Sequence, residues 1–224
     1  MEKDMGNTIK GVVFDLDETL IDSKDSIVAY HRELFKYLGL EFPEDHAYWF
    51  YTLPAEEITN RLFPDESYRE KAREFRKNFD FRKLFKMIRL KPGVPEILNR
   101  LRESGKKLAV VTNRGISTRP VLEHFNLLDL FDIVLPANEV KFPKPDPYPL
   151  KVIMEKWKAE RDEIIYIGDS EIDVETGTRA GVYTVTVGRK FSGVNYIPTL
   201  EYLPDLIRKF EKEKVREGVA GEKF

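Results

Sequence analysis

Two aspartates stand directly after the most apolar run near the start of the chain. Residues 11–23 read GVVFDLDETLIDS, so Asp15 and Asp17 follow the run Gly11–Phe14. Apolar runs of this kind are buried, and burying an unpaired carboxylate costs roughly several kcal/mol. The pair therefore marks either a solvated strand end or a site that uses negative charge.

Other polar residues follow apolar runs further along the chain. They are Thr112 with Asn113, Lys144 in KFPKPDP, and Asp169 with Asp173 in GDSEID. Oxygen ligands without sulfur suit Mg²⁺. A carboxylate can also act as a nucleophile, and a hydroxyl and an ammonium group can bind phosphoryl oxygens. The set therefore contains the groups that a metal-assisted phosphoryl transfer requires.

The apolar runs predict the elements that position these residues. Five runs are short and continuous, which is typical of strands buried on both faces of a parallel sheet: Gly11–Phe14, Lys107–Thr112, Ile133–Leu135, Ile164–Ile167 and Tyr183–Val187. Helical patterns alternate with them at Val94–Glu103, Thr118–Phe125 and Pro147–Trp157. The alternation predicts an α/β fold with helices on both faces of the sheet. In such sheets ligands bind beyond the carboxyl ends of the strands, where the polar residues stand.

One region interrupts the alternation of strands and helices. Between Ile21 and about Arg89 no clear strand run occurs, and the patterns predict helices at Ser26–Leu38, Ala55–Leu62 and Tyr68–Met87. We therefore predict one domain from residues 1–20 and 90–224, and an all-helical insertion at residues 21–89. A last helix is predicted from Leu200 to about Lys214, closed by Gly218.

Composition limits the kind of protein. The chain has 224 residues, 42% of them hydrophobic, a formal net charge of −2 and no cysteine. No apolar stretch is long enough to span a bilayer, and the N-terminus MEKDMGNTIKG lacks the apolar segment of a secretory signal. We expect a cytoplasmic protein with no membrane or nucleic-acid partner, present as a monomer or homodimer. Abundant Lys and Glu without Cys or Gln favour a thermophilic origin.

Four motifs in order resemble those of the haloacid dehalogenase superfamily of hydrolases. They are DLDET at Asp15–Thr19, the strand ending in Thr112, the dipeptide Lys144-Pro145, and GDSEID at Gly168–Asp173. The helical insertion is similar to the α-helical cap of the phosphoglycolate phosphatases in that superfamily. The resemblance covers about residues 10–190 and implies a Rossmann-like core with an inserted all-α cap.

The resemblance implies a role for each motif residue. Asp15 would be the nucleophile that forms an aspartyl-phosphate, and Asp17 the general acid and base. Phosphate-binding residues would be Thr112, Asn113 and Lys144. The resemblance implies that Mg²⁺ binds to the Asp15 carboxylate, the Asp17 main-chain carbonyl and Asp169, with Asp173 supporting this site without binding the metal. The implied activity is Mg²⁺-dependent hydrolysis of a small phosphorylated metabolite, a phosphomonoester.

Three alternatives remain at the level of sequence. A phosphosugar mutase similar to β-phosphoglucomutase would use the same core residues and differ in its cap. A dehalogenase would release a halide, which needs no proton, and Asp17 argues against it. A regulatory or binding protein with this fold but without turnover is the third, and the complete set Asp15, Asp17, Lys144 and Asp169 argues against it.

Overall fold

The computed structural model describes residues 8–52, 58, 61–63 and 65–221. It divides into two compact units, which we call the core unit (Met1–Leu20 with Leu90–Phe224) and the helical unit (Ile21–Arg89). Among the described residues, no helix combines the length and apolar character needed to cross a membrane.

The core unit alternates strands with helices. In chain order its elements are β1 (Gly11–Phe14), α4 (Val94–Glu103), β4 (Lys107–Thr112), α5 (Thr118–His124), β5 (Ile133–Pro136), α6 (Tyr148–Trp157), β6 (Ile164–Gly168), α7 (Glu171–Ala180), β7 (Tyr183–Val187), β8 (Asn195–Ile197) and α8 (Leu203–Gly221). Short 3₁₀ segments lie at Leu128–Leu130, Ala137–Glu139, Arg161–Glu163 and Leu200–Tyr202. The α/β architecture predicted from the alternating patterns is confirmed.

Six strands form one parallel sheet in the order β5-β4-β1-β6-β7-β8. The central strand β1 pairs with β4 and β6, and Phe14 lies in register with Val110 and Ile167. From β1 the chain first builds β4 and β5 on one side and then β6 to β8 on the other. The order therefore reverses at β1, and such a switch point is where open α/β sheets bind ligands.

The central strands are buried on both faces, as their continuous apolar runs predict. All residues of β1 and β6 are buried, and Val13 packs with Ile153 and Trp157 of α6 in a core cluster. Gly11 leaves room for the Trp157 ring, because a Cβ there would lie 2.3 Å from Trp157 Cζ3. Close packing of α6 on the sheet thus fixes β1, the strand that carries Asp15 at its end.

The helical unit contains α1 (Lys24–Leu38), α2 (Trp49–Thr52) and α3 (Glu66–Asn78), with 3₁₀ segments at Glu44–His46 and Phe81–Met87. Its core is an aromatic cluster around Tyr30, Phe35 and Phe50. Two strands of two residues each, β2 (Ile21–Asp22) and β3 (Arg89–Leu90), pair with each other where this unit begins and ends. The prediction of helix at residues 55–62 falls mostly on residues outside those described.

The structure differs from the prediction at a break in one helix. The helix predicted at Tyr68–Met87 breaks at Phe79, whose backbone is extended, and Asp80 caps the following 3₁₀ segment through a hydrogen bond from Arg82 N. The rings of Phe79 and Phe81 both contact Tyr30. Residues two apart on a continuous helix point in nearly opposite directions, so the break lets both rings reach it.

Further differences concern strands and one helix end. The strand β8 is absent from the prediction, because it has three residues and only Ile197 is buried. The strands β2 and β3 are also absent from it, being too short to show a pattern. The last helix α8 continues past Gly218 to Gly221, since an interior glycine costs a helix only about 1 kcal/mol and does not have to end it.

Candidate active site

The strand β1 places Asp15 at the carboxyl edge of the sheet. The backbone hydrogen bonds between β1 and β6 continue one residue beyond β1, because Asp15 N donates to Ile167 O at 2.8 Å. Asp15 is only 5% exposed, so its carboxylate lies inside the protein rather than in solvent. A solvated strand end, the alternative reading of this motif, is therefore excluded for Asp15.

Lys144 joins the end of β1 to the first turn of α7. Its Nζ lies 2.6 Å from Asp15 Oδ1 and 2.6 Å from Asp173 Oδ1, and all three side chains are buried. The segment that carries Lys144 is held from the β4 side, because Asn113 Nδ2 donates to the Lys144 carbonyl at 3.0 Å. Residues far apart in sequence thus meet in one charged cluster.

Asp173 is the most heavily hydrogen-bonded carboxylate of the cluster. Its Oδ1 accepts from Lys144 and from the Tyr166 hydroxyl at 2.5 Å. Its Oδ2 accepts from Ser170 Oγ at 2.5 Å and from the backbone N–H groups of Asp169 and Ser170. A carboxylate has about four lone-pair sites, so five donors leave Asp173 little capacity for a metal ion.

Burial and charge shape the protonation of these groups. Burial raises the pKa of Asp15 well above its ordinary value, and Lys144 opposes this only in part. Burial, with the neighbouring Asp173, also raises the pKa of Asp169 to about 7. Although burial alone would raise it, contact with Lys144 lowers the pKa of Asp173. Burial would lower the pKa of Lys144, but Asp15 and Asp173 outweigh it and keep the amine protonated.

Thr19 and Thr112 bring two hydroxyl groups to this edge. Thr19 Oγ1 lies 3.4 Å from Asp15 Oδ2 and 3.3 Å from Asp169 Oδ1, so it bridges the two carboxylates. Thr112 ends β4, is buried, and its Oγ1 accepts from Arg114 N at 3.0 Å. Because a hydroxyl both accepts and donates, Thr112 retains a proton to donate to a ligand oxygen.

Asp17 forms an ion pair with a residue that sequence reasoning missed. Arg114 donates from Nη2 to Asp17 Oδ1 at 2.5 Å and from Nε to both carboxylate oxygens at 3.1 Å. Glu18 lies between Asp17 and Thr19 in the sequence, and its φ of 62° is uncommon for a non-glycine residue. Its carboxylate is paired with Lys91 Nζ at 3.0 Å.

Three contributors to the site were not assigned from the sequence: Thr19, Tyr166 and Arg114. Thr19 belongs to the DLDET motif, so its place in the motif was a usable signal. Tyr166 lies within an apolar run and reads as a core residue. Arg114 follows Thr112 by two residues, but nothing in the sequence shows that it reaches Asp17.

The carboxylates fit a divalent cation. One oxygen each from Asp15, Asp169 and Asp173 lies within 4.8 Å of the others, an all-oxygen donor set of the type that Mg²⁺ prefers. Burial is the main cause of the raised pKa values of Asp15 and Asp169, and a bound cation would favour the charged forms of both carboxylates. Because Asp173 is saturated with hydrogen bonds, Asp15 and Asp169 are the better ligands.

A parallel α/β sheet with a buried aspartate, lysine and further carboxylates at its carboxyl edge defines a class of hydrolytic enzymes. A model of the haloacid dehalogenase-like hydrolase family matches residues 12–187, which include every site residue described above. The chain belongs to this family and is a hydrolase.

Individual relatives resemble the chain over most of its length. A pyrophosphatase PpaX from Halalkalibacterium halodurans is 31% identical, over 89% of this chain and 95% of the relative. A phosphoglycolate phosphatase from Nitrosospira multiformis is 31% identical, over 80% and 83% of the two chains. The crystal structure of a haloacid dehalogenase-superfamily hydrolase, subfamily IA, from Geobacter sulfurreducens superposes with a TM-score of 0.73 at 28% identity, covering 90% of this chain and 98% of that one.

Proposed function

We propose that this protein is a Mg²⁺-dependent phosphatase that hydrolyses a small phosphorylated metabolite, a phosphomonoester, through an aspartyl-phosphate on Asp15. The observation that supports this best is the buried contact of 2.6 Å between Asp15 and Lys144 at the switch point of the sheet. A carboxylate held there beside an ammonium group is a placed nucleophile rather than a solvated acid. The names of the two relatives above, a pyrophosphatase and a phosphoglycolate phosphatase, support phosphate chemistry.

In the first step Asp15 attacks phosphorus. A bond forms between a carboxylate oxygen of Asp15 and phosphorus, and the bond from phosphorus to the leaving oxygen breaks. Asp17, which must be protonated and turned away from Arg114 for this step, gives its proton to that oxygen, which leaves as an alcohol. Lys144 offsets the negative charge of Asp15 and the phosphoryl group, and Thr112 donates a hydrogen bond to a phosphoryl oxygen.

The second step returns Asp15 to its starting form. Asp17 takes a proton from a water molecule, whose oxygen attacks phosphorus and displaces the carboxylate oxygen of Asp15. The products are inorganic phosphate and the regenerated carboxylate. Lys144 stabilises the carboxylate as it leaves, and Asp173 with Asn113 keeps Lys144 in place.

We propose the Asp15 carboxylate, the Asp17 main-chain carbonyl and Asp169 as the Mg²⁺ ligands. When bound, Mg²⁺ would reduce the repulsion between the carboxylate nucleophile and the phosphoryl oxygens. Asp173 would support this site through its hydrogen bonds to the backbone at Asp169 and Ser170. We further propose that the helical unit serves as a cap that selects the leaving group.

The test is phosphate release from an aryl phosphate, measured with Mg²⁺ and with a chelator. We expect wild type to be active only with Mg²⁺, and Asp15→Asn to be inactive because an amide is a poor nucleophile. Asp129→Asn is the matched control, since Asp129 is an exposed carboxylate just before β5, at the opposite edge of the sheet. Full activity of Asp15→Asn would overturn the proposal.

A further inference from the structure

The Arg114–Asp17 ion pair is held rigidly beside the proposed nucleophile. The two side chains are 11% and 23% exposed, and the guanidinium donates from Nη1 to Ser117 Oγ at 3.2 Å. The Arg114 backbone N–H donates to Thr112 Oγ1, which ties the arginine to the end of β4. Arg114 is therefore a fixed, partly desolvated cation at the edge where Asp15 lies.

This pair has to rearrange if Asp17 is to serve the leaving group. Both Asp17 oxygens accept from the guanidinium, Oδ1 from two nitrogens and Oδ2 from one. To contact the leaving oxygen, Asp17 must turn at least one oxygen away from Arg114. The Arg114 side chain is 11% exposed, so its guanidinium then needs another acceptor, because an unpaired charge in such a place is strongly unfavourable.

We propose that Arg114 is a substrate-binding residue that selects phosphate compounds whose leaving group carries an anion within two or three bonds of the leaving oxygen. A carboxylate or a second phosphate in that position would take the place that Asp17 vacates, and both match the planar fork of a guanidinium. A leaving group that is a neutral alcohol has no anion to replace Asp17 as the partner of Arg114. This inference rests on the proposed function, because it assumes that Asp17 faces the leaving group.

Binding of two inert analogues tests the selection without requiring turnover. In 3-phosphonopropionate a methylene group replaces the scissile oxygen and a carboxylate lies two carbons from it, whereas propylphosphonate has a methyl group in place of the carboxylate. We expect wild type with Mg²⁺ to bind the first at least about tenfold more tightly in calorimetry, the effect of one charge-assisted hydrogen-bonded pair.

Substitutions of Arg114 and Asp17 test whether Arg114 binds the anion of the leaving group or only orients Asp17. Arg114→Gln should reduce the tenfold preference to about twofold or less, while Arg114→Lys keeps part of it. Asp17→Asn should increase the preference, because it removes the carboxylate that competes for Arg114. Arg102→Gln is the control, since Arg102 is an exposed arginine that donates to the Asp129 and Leu130 carbonyls near the opposite edge.

The outcomes distinguish failure of the proposed role of Arg114 from failure of the phosphatase proposal. Equal binding of both analogues by wild type, or equal weakening of both by Arg114→Gln, would overturn the role of Arg114 and leave the phosphatase proposal intact. Binding of neither analogue, together with no phosphate release from the aryl phosphate, would overturn both.

Discussion

At the scale of single residues, the Tyr166 hydroxyl shows how a buried side chain can support the site without touching a substrate. It donates to the same Asp173 oxygen that accepts from Lys144, and Lys144 in turn contacts Asp15. Removing this donor leaves the Asp173 carboxylate less fixed and allows Lys144 to shift. We therefore infer that Tyr166 is a positioning residue.

Substitution Tyr166→Phe should lower kcat about tenfold and change KM little. About tenfold is the lower end of the loss expected when a residue that supports a site residue loses its hydrogen bond. The free energy of unfolding should fall by about 1–3 kcal/mol, because a buried acceptor loses its donor. Steady-state kinetics and urea unfolding measure the two effects. Tyr183→Phe in the neighbouring strand is the matched control, and equal kinetics for both variants would exclude a positioning role.

Sequence reasoning could find the residues of the site whose place depends on strand ends. Asp15, Thr112 and Asp169 stand next to buried apolar runs, so their meeting at one sheet edge follows from parallel pairing. The contacts of Arg114 and Tyr166 could not be predicted in this way. They depend on how far a side chain reaches across the sheet, which periodicity does not encode.

At the scale of elements, the contact of α7 with β7 depends on a glycine. A Cβ on Gly177 would lie 2.0 Å from Thr184 Oγ1, well inside van der Waals contact. The neighbouring Thr176 is buried, and its hydroxyl donates to the Ile172 carbonyl one turn earlier at 2.6 Å. The polar helix α7 can therefore pack on the sheet, because the buried Thr176 hydroxyl has a hydrogen-bond partner and Gly177 leaves space for Thr184.

Helix propensity and packing predict opposite changes in the free energy of unfolding for Gly177→Ala. Propensity alone would stabilise the helix by up to about 1 kcal/mol. The close approach of Thr184 instead predicts a loss of about 1–3 kcal/mol, since overpacking forces the helix off the strand. A double-mutant cycle with Thr184→Ala, followed by thermal unfolding, should recover part of the loss. A gain in stability for Gly177→Ala alone would contradict the packing shown here.

In the helical unit, burial of His31 makes stability depend on pH. Burial lowers the pKa of His31 to about 4, and its Nδ1 lies 2.8 Å from the Ile27 carbonyl, so the neutral ring donates there. The unfolded chain, in which the pKa is about 6.5, binds more protons between pH 6.5 and 4. Stability from this residue is therefore complete above pH 6.5 and is lost as the pH falls to about 4.

Urea unfolding between pH 7 and pH 4 should show this loss, at most about 3 kcal/mol from His31 because the ring keeps some solvent access. In His31→Phe the ring still stacks on Phe50 but no longer titrates, so the decline with pH should be smaller by that amount. An equal decline in wild type and His31→Phe would show that His31 does not contribute.

The elements also show where sequence patterns succeed. Strands β1, β4 and β7 have the predicted bounds, because a strand buried on both faces is a continuous apolar run. The break at Phe79 was missed, since the apolar spacing around it is compatible with a helix and only contacts to Tyr30 reveal the turn. Tertiary contacts, rather than local preference, decide such boundaries.

At the scale of the whole molecule, charge is nearly balanced overall but concentrated at the site. The formal net charge is −2, yet Asp15, Asp169 and Asp173 bring carboxylate oxygens within 4.8 Å of one another inside the core unit. Such crowding opposes folding unless cations offset it. Lys144 supplies one charge, and a divalent cation would supply the remainder.

Bound Mg²⁺ should therefore raise the thermal unfolding midpoint. A concentration of about 100 times the Kd corresponds to about 3 kcal/mol of stabilisation, and addition of a chelator should reverse it. Asp169→Asn should lose this shift and be at least as stable as wild type in chelator, because one carboxylate of the crowded set is gone. Asp129→Asn should keep the shift. A Mg²⁺ shift that survives in Asp169→Asn would place the cation elsewhere.

The most direct test of the whole account is to trap the covalent intermediate. Wild type mixed with Mg²⁺ and a phosphomonoester is quenched in acid within the first turnover, and the protein is digested and analysed by mass spectrometry. We predict a base-labile phosphoryl group on the peptide that contains Asp15, absent from Asp15→Asn and retained in Asp129→Asn. Phosphate release without a phosphorylated protein, or with the label on another residue, would contradict Asp15 as the nucleophile.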